Sequence, residues 1–537
     1  MAHGHPISCL PNLSPFYINT NNKIMPDSRV SKVQIRMYRM GTGDCFVLKF
    51  FSGNRITFKM MIDAGVWQKG KDHIEPFIKD LKKFVKNEVD VLVVTHEHMD
   101  HVLAFQRCKD LFTQGFNVKQ VWMGWTEKDG DSKVEKWKKN HGEKKKALAM
   151  ASSFLGQAIA SPEFALQFKG HKYENQMLGV RNAQAAIIGE FAELNTGVEQ
   201  NMGVAGEYIG AMEGMRIVKE DMKVDGFRYF KPGQVVKNHP GAKGLKFYVL
   251  GPPELHDTVK KETGGAGESF EHSHNMEDHR AFSEAIDMKR QNDMPFSKMP
   301  FDERFIYSDK DLESSSDKSQ KDYEAKKLTR FIQREYNAQD WRKIDYDWLF
   351  SSGNLALRMN SLTNNLSLAL AIEFENTGEV LLFPGDAEYG SWSSWHNIDW
   401  GNEQDPNKKH LTEDLLNRTI FYKVAHHMSH NGTADRLGLA MMTNHKLTAM
   451  VTLDYSVISK GWKNTMPNKF ILDDLLLKTK GRLIFSNEEG IKYDKQTSLT
   501  AKINEGKKRM DSKERTDFEN NFKTDTNGRY HELTIKF

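Results

Sequence analysis

The sequence predicts an α/β protein: one strand-rich scaffold interrupted by two long, mainly helical insertions. Three observations carry that expectation. Short apolar runs rich in β-branched residues, each ending near a Gly or Pro turn, occur towards both ends of the chain. Between them lie two stretches of another texture, one rich in Lys, Glu and Ala and one polar and charged. Residues of metal-ligating type sit at strand ends on both sides of these stretches. This favours one scaffold over several separate domains.

In chain order, a tail over 1–30 precedes a first core part over 31–125. There SKVQIRMYRM from Ser31, CFVLKFFS after the GTGD turn, and RITFKMMIDAG from Arg55 read as strands. KDHIEPFIKDLKKFVKN places Ile74, Phe77, Ile78, Leu81 and Phe84 at helical spacing. VDVLVVT is a near-continuous apolar run, the mark of a strand covered on both faces. LAFQRCKDLFTQG reads as a helix and VKQVWMGW as a strand. A helical insertion over 126–243 follows, then a core strand in 244–254 and a polar helical and loop insertion over 255–350. A second core part spans 351–495, and an extension over 496–537 ends in the strand YHELTIKF.

With 537 residues the chain is long enough for one large core. Its 76 Lys+Arg against 72 Asp+Glu leave a net charge of +4, so no global basic field exists and any nucleic-acid contact must use local patches. The three cysteines, Cys9, Cys45 and Cys108, share no CxxC spacing, which argues against a disulfide framework or zinc knuckle and fits a reducing compartment. Cys45 and Cys108 read as buried apolar residues. The first residues lack a basic then apolar leader, and His3 and His5 read as tail. No run approaches the ~18 apolar residues of a membrane span. A cytoplasmic protein without membrane contact is expected.

VVTHEHMDHV, from Val93 to Val102, sets His96, His98, Asp100 and His101 after an apolar strand. In extended chain His96 and His98 point the same way, while Asp100 and His101 follow as the chain turns into a helix. Such a loop can serve two cations, the first two histidines on one and Asp100 with His101 on the other. Imidazole with carboxylate suits Zn²⁺ or Mn²⁺. EVLLFPGDAEYG puts Asp386 at a strand tip, a natural bridging ligand or else a plain turn aspartate. IFYKVAHHMSHNGT ends a strand at His426 and His427, with His430 nearby.

Together these stretches resemble the metallo-β-lactamase superfamily, and within it the hydrolase domain of ComEC-type competence proteins. MYRMGTGDCFVLKF is similar to that group's V-G-Q-G-D opening and MMIDAG to its L-I-D-A-G. NNLSLALAIEF with VLLFPGDAE is similar to its N-x-S-L-V-L and L-L-x-G-D block, and YKVAHHMSHNG to its L-K-V-P-H-H-G-S. The resemblance spans Val33 to about Ile491 outside the insertions. It implies a four-layer αββα sandwich holding two divalent ions: metal 1 on His96 and His98, metal 2 on Asp100, His101 and His427, with Asp386 bridging and His426 the rival to His427. Two departures stand out. The superfamily's third histidine on metal 1 is missing, with Asn365 and Ser367 in that block, so metal 1 is weakly held, completed by Asn365 or water, or absent. Met428 replaces the Gly after the histidine pair, which would narrow the pocket.

A pair of divalent ions makes bound water nucleophilic near neutral pH, so no Ser or Cys nucleophile is needed. The ions alone do not choose between phosphodiester, lactam, lactone and thioester. The resemblance implies phosphodiester cleavage with DNA as the leading substrate, catalysed through Asp100, His427 and His430. It also implies kinship with effectors of bacterial defence, with a protein partner docking on the insertions. Ser429, His430 and Asn431 would bind phosphate or protonate the leaving oxygen; otherwise they cap a turn. Trp392 and Trp395 line a groove or pack against an insertion. KVEKWKKNHGEKKKALAM, with Trp137, reads as a solvated helix face sooner than a nucleic-acid patch. Two rival readings stand beside the nuclease. One is a small-ester hydrolase acting on a phosphocholine ester or lactone, which a closed, roofed pocket would favour. The other is a binding module with a decayed site.

Overall fold

The computed structural model describes residues 29–166, 169, 174–196, 210–254, 327, 330, 331, 335, 352–407 and 409–537. The expectations for His3, His5, Cys9 and nearly all of the polar insertion over 255–350 lie outside these residues, as does the Trp137 side chain.

The strands are β1 Lys32–Tyr38, β2 Phe46–Ser52, β3 Arg55–Ile62, β4 Glu88–Val93, β5 Asn117–Gly124, β6 Lys223–Val224, β7 Phe227–Phe230 and β8 Val235–Lys237. They continue with β9 Leu245–Val249, β10 Leu370–Phe374, β11 Val380–Phe383, β12 Thr419–Lys423, β13 Thr448–Asp454, β14 Leu483–Asn487, β15 Phe522–Thr524 and β16 Tyr530–Lys536. They form two mixed sheets. One runs β15-β16-β1-β2-β3-β4-β5-β6, with β7 also on β5; the other runs β14-β13-β12-β11-β10-β9-β8.

Alternation along the strands explains the stacking. Val33, Ile35, Met37, Phe46, Leu48 and Phe50 of the first sheet meet Phe247, Val249, Leu370, Ile372, Phe374 and Phe383 of the second in one buried core. The opposite face of the first sheet, through Cys45, Val47, Met61 and Leu92, is covered by Ile74, Ile78 and Leu81 of helix Lys71–Val85 and by Val102 and Phe105 of helix Met99–Arg107. The opposite face of the second sheet is covered by Trp392, Trp395, Leu415, Leu416, Ile471 and Leu475. The result is helix, sheet, sheet, helix. Both sheets are buried on both faces, which is why the central strands read as continuous apolar runs. No helix among the described residues is long and apolar enough to cross a membrane.

Two expected boundaries shift. Residues 222–243, assigned to the helical insertion, contribute β6 and β7 to the first sheet and β8 to the second. Strands of two to four residues are too short to show a period. The C-terminal stretch is part of the scaffold: β16 pairs antiparallel with β1 over its whole length, Lys32 opposite Lys536 through Tyr38 opposite Tyr530.

On β16, His531 is buried, with Nδ1 2.8 Å from Thr524 Oγ1. Burial, and then the nearby Arg39 cation, push its pKa down from 6.5 to about 4. Between those values the unfolded chain takes up a proton that the folded chain refuses, so stability falls on acidification from pH 6.5 towards 4. His531→Gln should remove about 3 kcal/mol of that loss. Denaturant midpoints across this pH range check it; parallel curves for both proteins would refute the assignment.

Candidate metal centre

The site forms where strands of both sheets end. After β4 the loop Thr95–His98 leads into helix Met99–Arg107, whose first turn carries Asp100 and His101. That turn lies directly on Gly65. A Cβ there would come within 2.0 Å of the Asp100 carbonyl carbon, so only glycine permits the approach. After β11, Gly385 at φ +61° turns the chain so that Asp386 is presented. After β12 come three consecutive left-handed residues without glycine: His426 (φ 45°), His427 (φ 50°) and Met428 (φ 67°). Such conformations cost on the order of 1–2 kcal/mol each and persist where surroundings enforce them, commonly at functional sites.

Four histidines each have one ring nitrogen anchored by an acceptor, which turns the other towards the centre. His101 Nδ1 donates to Asp63 Oδ2 at 2.8 Å, which turns Nε2 inward. His427 Nδ1 faces the Thr452 carbonyl at 3.1 Å and its hydroxyl at 2.9 Å. That hydroxyl gives its own proton to Asp44 Oδ1 at 2.6 Å, and the other nitrogen, His427 Nε2, faces Asp100 Oδ2 at 2.7 Å. His96 Nδ1 meets the hydroxyls of Thr95 (3.1 Å) and Ser367 (3.2 Å). His98 Nε2 meets Asn195 Oδ1 at 3.0 Å.

The inward-facing atoms converge in two places. His96 Nε2 and His98 Nδ1 face each other at 3.1 Å. Two nitrogens on one tetrahedral ion would stand about 3.3 Å apart, given metal–nitrogen bonds of about 2.0–2.1 Å. In the second place, Asp386 Oδ2 lies 3.2 Å from His101 Nε2 and 3.5 Å from His427 Nε2, and Asp100 Oδ1 lies 4.0 Å from His101 Nε2. Asp100 Oδ1, His101 Nε2 and Asp386 Oδ2 are buried without a hydrogen-bond partner. Buried polar atoms are rarely left so, because each costs about 1–3 kcal/mol.

Ligand atoms of Asp44, His101, Asp386 and His427 lie within 4.8 Å of one another, a buried group that can hold a metal ion. Asp44 belongs to its support more than to its ligands. Its Oδ1 takes the Thr452 proton and its Oδ2 pairs with the Lys423 ammonium, on the anchored Nδ1 side of His101. Lys423 also holds Asp386 Oδ1 at 2.9 Å, and the His426 backbone N–H donates to the same oxygen at 3.1 Å. Oδ2 is therefore the oxygen Asp386 can offer.

The electrostatics follow. Burial alone would lower the His101 pKa, but the carboxylates of Asp386, Asp44, Asp100 and Asp63 outweigh it and hold it well above the ordinary value. His427 is raised in the same way, against burial, by Asp386 and Asp100. The surrounding carboxylates favour positive charge at these two rings. Burial holds His96 and His98 neutral, His98 at about 4. Neutral imidazoles are the form that ligates.

Of the expected ligands, His96, His98, Asp100, His101, Asp386 and His427 are brought together. The rival His426 points elsewhere, towards Ser429 Oγ (2.7 Å), Asn431 Oδ1 (3.2 Å) and Glu388 Oε1 (3.4 Å). Asn365 places its Oδ1 on the backbone N–H groups of Glu388 and Ser391, a helix-capping position rather than a ligand position. Trp392 is fully buried, donates to the carbonyls of Ala387 and Gly432, and packs on Trp395 at 4.3 Å, so neither lines a groove. Met428 is buried in the outer core and is not among the residues lining either cavity described below. Asp63, Thr95, Lys423 and Thr452 were not assigned roles from the sequence, although MMIDAG and YKVAHH flank the ligands and an Asp at the end of β3 was a readable signal.

The helical insertion covers the centre. Lys145, buried on helix Ser132–Ala160, pairs with Glu97, and His141 lies 3.4 Å from the same carboxylate. A cleft of about 290 Å³ opens beside the ligands between Ile187 and Phe191 of helix Glu174–Thr196, Leu357, Trp462, His426 and the segment Ser429–Asn431. A smaller cavity continues from Trp462 and His426 to Asp100 and His427. Comparisons of the chain with protein-family models, curated proteins and solved structures returned no match.

Proposed function

We propose that the chain is a metal-dependent hydrolase of the metallo-β-lactamase type, similar in its motifs to the ComEC-type hydrolase domain. In this reading two divalent ions, Zn²⁺ or Mn²⁺, would be held, one by His96 and His98 and one by Asp100, His101 and His427, with Asp386 as a shared ligand. The observation that carries the reading is the convergence of three buried ligand atoms that make no hydrogen bond, Asp100 Oδ1, His101 Nε2 and Asp386 Oδ2. A decayed site would not keep all of them aimed at one point. Such ions, when bound, supply a nucleophilic water near neutral pH and polarise the attacked bond. Asp63 and Thr452 hold His101 and His427 in the ligating tautomer, and Lys423 turns Asp386 Oδ2 inward. Half-buried His430, on the cleft wall, would pass a proton to a leaving group.

The motif resemblance supports a phosphodiester, with DNA the leading substrate, in a cytoplasmic protein whose insertions take a partner. A second reading is favoured by the roof. The cleft beside the ligands, walled by Ile187, Phe191, Leu357 and Trp462, suits a small ester better than an intact duplex.

The test is incubation with linear, circular and single-stranded DNA, and separately with small phosphodiester and carboxylic esters, in Mn²⁺ or Zn²⁺. Asp100→Ala should lose whatever cleavage the wild type shows. Equal turnover by both proteins would mark contamination and remove the enzymatic reading.

A further inference from the structure

The helical insertion does more than cover the centre. His98 Nε2 lies 3.0 Å from Oδ1 of Asn195, near the end of helix Glu174–Thr196 and 97 residues away in sequence. The orientation of that amide is determined independently: Asn195 Nδ2 donates to the Phe191 carbonyl at 2.9 Å, so Oδ1 must be the atom facing His98. A carbonyl oxygen can only accept, so His98 carries its proton on Nε2 and presents Nδ1 as a lone pair to His96 Nε2. Asn195 is fully buried, and so is Thr363, whose hydroxyl lies 3.3 Å from the same Oδ1. His96 needs no such help, because Thr95 and Ser367 of the scaffold anchor its Nδ1. The asymmetry is specific: one histidine of the pair is oriented by the scaffold, the other by the insertion.

We propose that Asn195 is a positioning residue for metal 1, through which the helical insertion completes a site that lacks its third histidine. The proposal rests on the metal-centre reading above. Outer partners of ligating histidines typically contribute about 10–100-fold in metal affinity. A site short of one ligand depends more heavily on the ligands it keeps.

The experiment is competition of the full chain against a chromophoric chelator for Zn²⁺ and Mn²⁺, resolving two binding steps, with Co²⁺ absorption as a report on coordination. Asn195→Leu should weaken one step about 10–100-fold, leave the other unchanged, and alter the Co²⁺ spectrum. Asn195→Asp, a stronger acceptor in the same place, should hold that step at wild-type affinity or tighter. It also tests the idea should the Leu variant fold poorly. Wild-type affinity for both ions in Asn195→Leu, or equal weakening of the step by Leu and Asp, would overturn the proposal while leaving the metal centre intact. A wild-type chain that binds no ion would overturn the metal centre itself.

Discussion

Asp386→Asn is expected to lower metal-dependent turnover by on the order of 10³-fold, about 4 kcal/mol of transition-state stabilisation, while the chain stays folded. The substitution keeps the shape and removes the charge. In Asp386, Oδ1 is fixed by Lys423 and the His426 N–H, and Oδ2 faces His101 and His427. An amide would keep one acceptor for the Lys423 side and turn an NH₂ group, which cannot ligate, towards the imidazoles. If two ions share this residue as proposed, both should then bind more weakly. Turnover and metal content, measured together on wild type and variant, check the prediction. A variant within tenfold of wild type in both would show that Asp386 bridges nothing.

Lys423→Met should be the most destabilising single change at the centre. The Lys423 ammonium is fully buried and lies between Asp386 Oδ1 and Asp44 Oδ2, with the Gly385 carbonyl as a third acceptor at 2.9 Å. Burial alone would lower its pKa, but the two carboxylates outweigh burial and raise it, so it stays charged across the working range. Removing one partner of such a buried set leaves uncompensated charge and costs about 3–5 kcal/mol. Methionine fills nearly the same volume, so the loss measured is electrostatic more than a packing defect. Denaturant unfolding with and without added Mn²⁺ reads it. A loss under about 1 kcal/mol would mean that the carboxyl groups are neutralised by some other route.

Much of the centre was legible because its candidate ligands sit where short local patterns end. H-x-H-x-D-H follows an apolar strand, Gly-Asp follows another, and a histidine pair follows a third. Each arrangement is dictated within a few residues by strand termination and a turn. The choice of His427 over His426 was not local. It depends on a run of left-handed residues that sends one ring to Asp100 at 2.7 Å and the other to Ser429. Trp392 shows the opposite case: a tryptophan near the chemistry is expected to meet substrate, yet its indole closes a core. The strands β6, β7 and β8 were invisible because two to four residues cannot display a period.

By itself, the sequence determined the α/β class, the helical texture of the first insertion and the types of side chain available to a cation, since propensity, periodicity and ligand chemistry act over neighbouring residues. The tertiary structure alone decided which imidazole nitrogen is free, that Lys423 and Asp44 stand behind the ligands, and that Asn195 of the insertion reaches His98. Those outcomes depend on hydrogen bonds between residues tens to hundreds of positions apart, and only burial in a shared core makes such contacts obligatory.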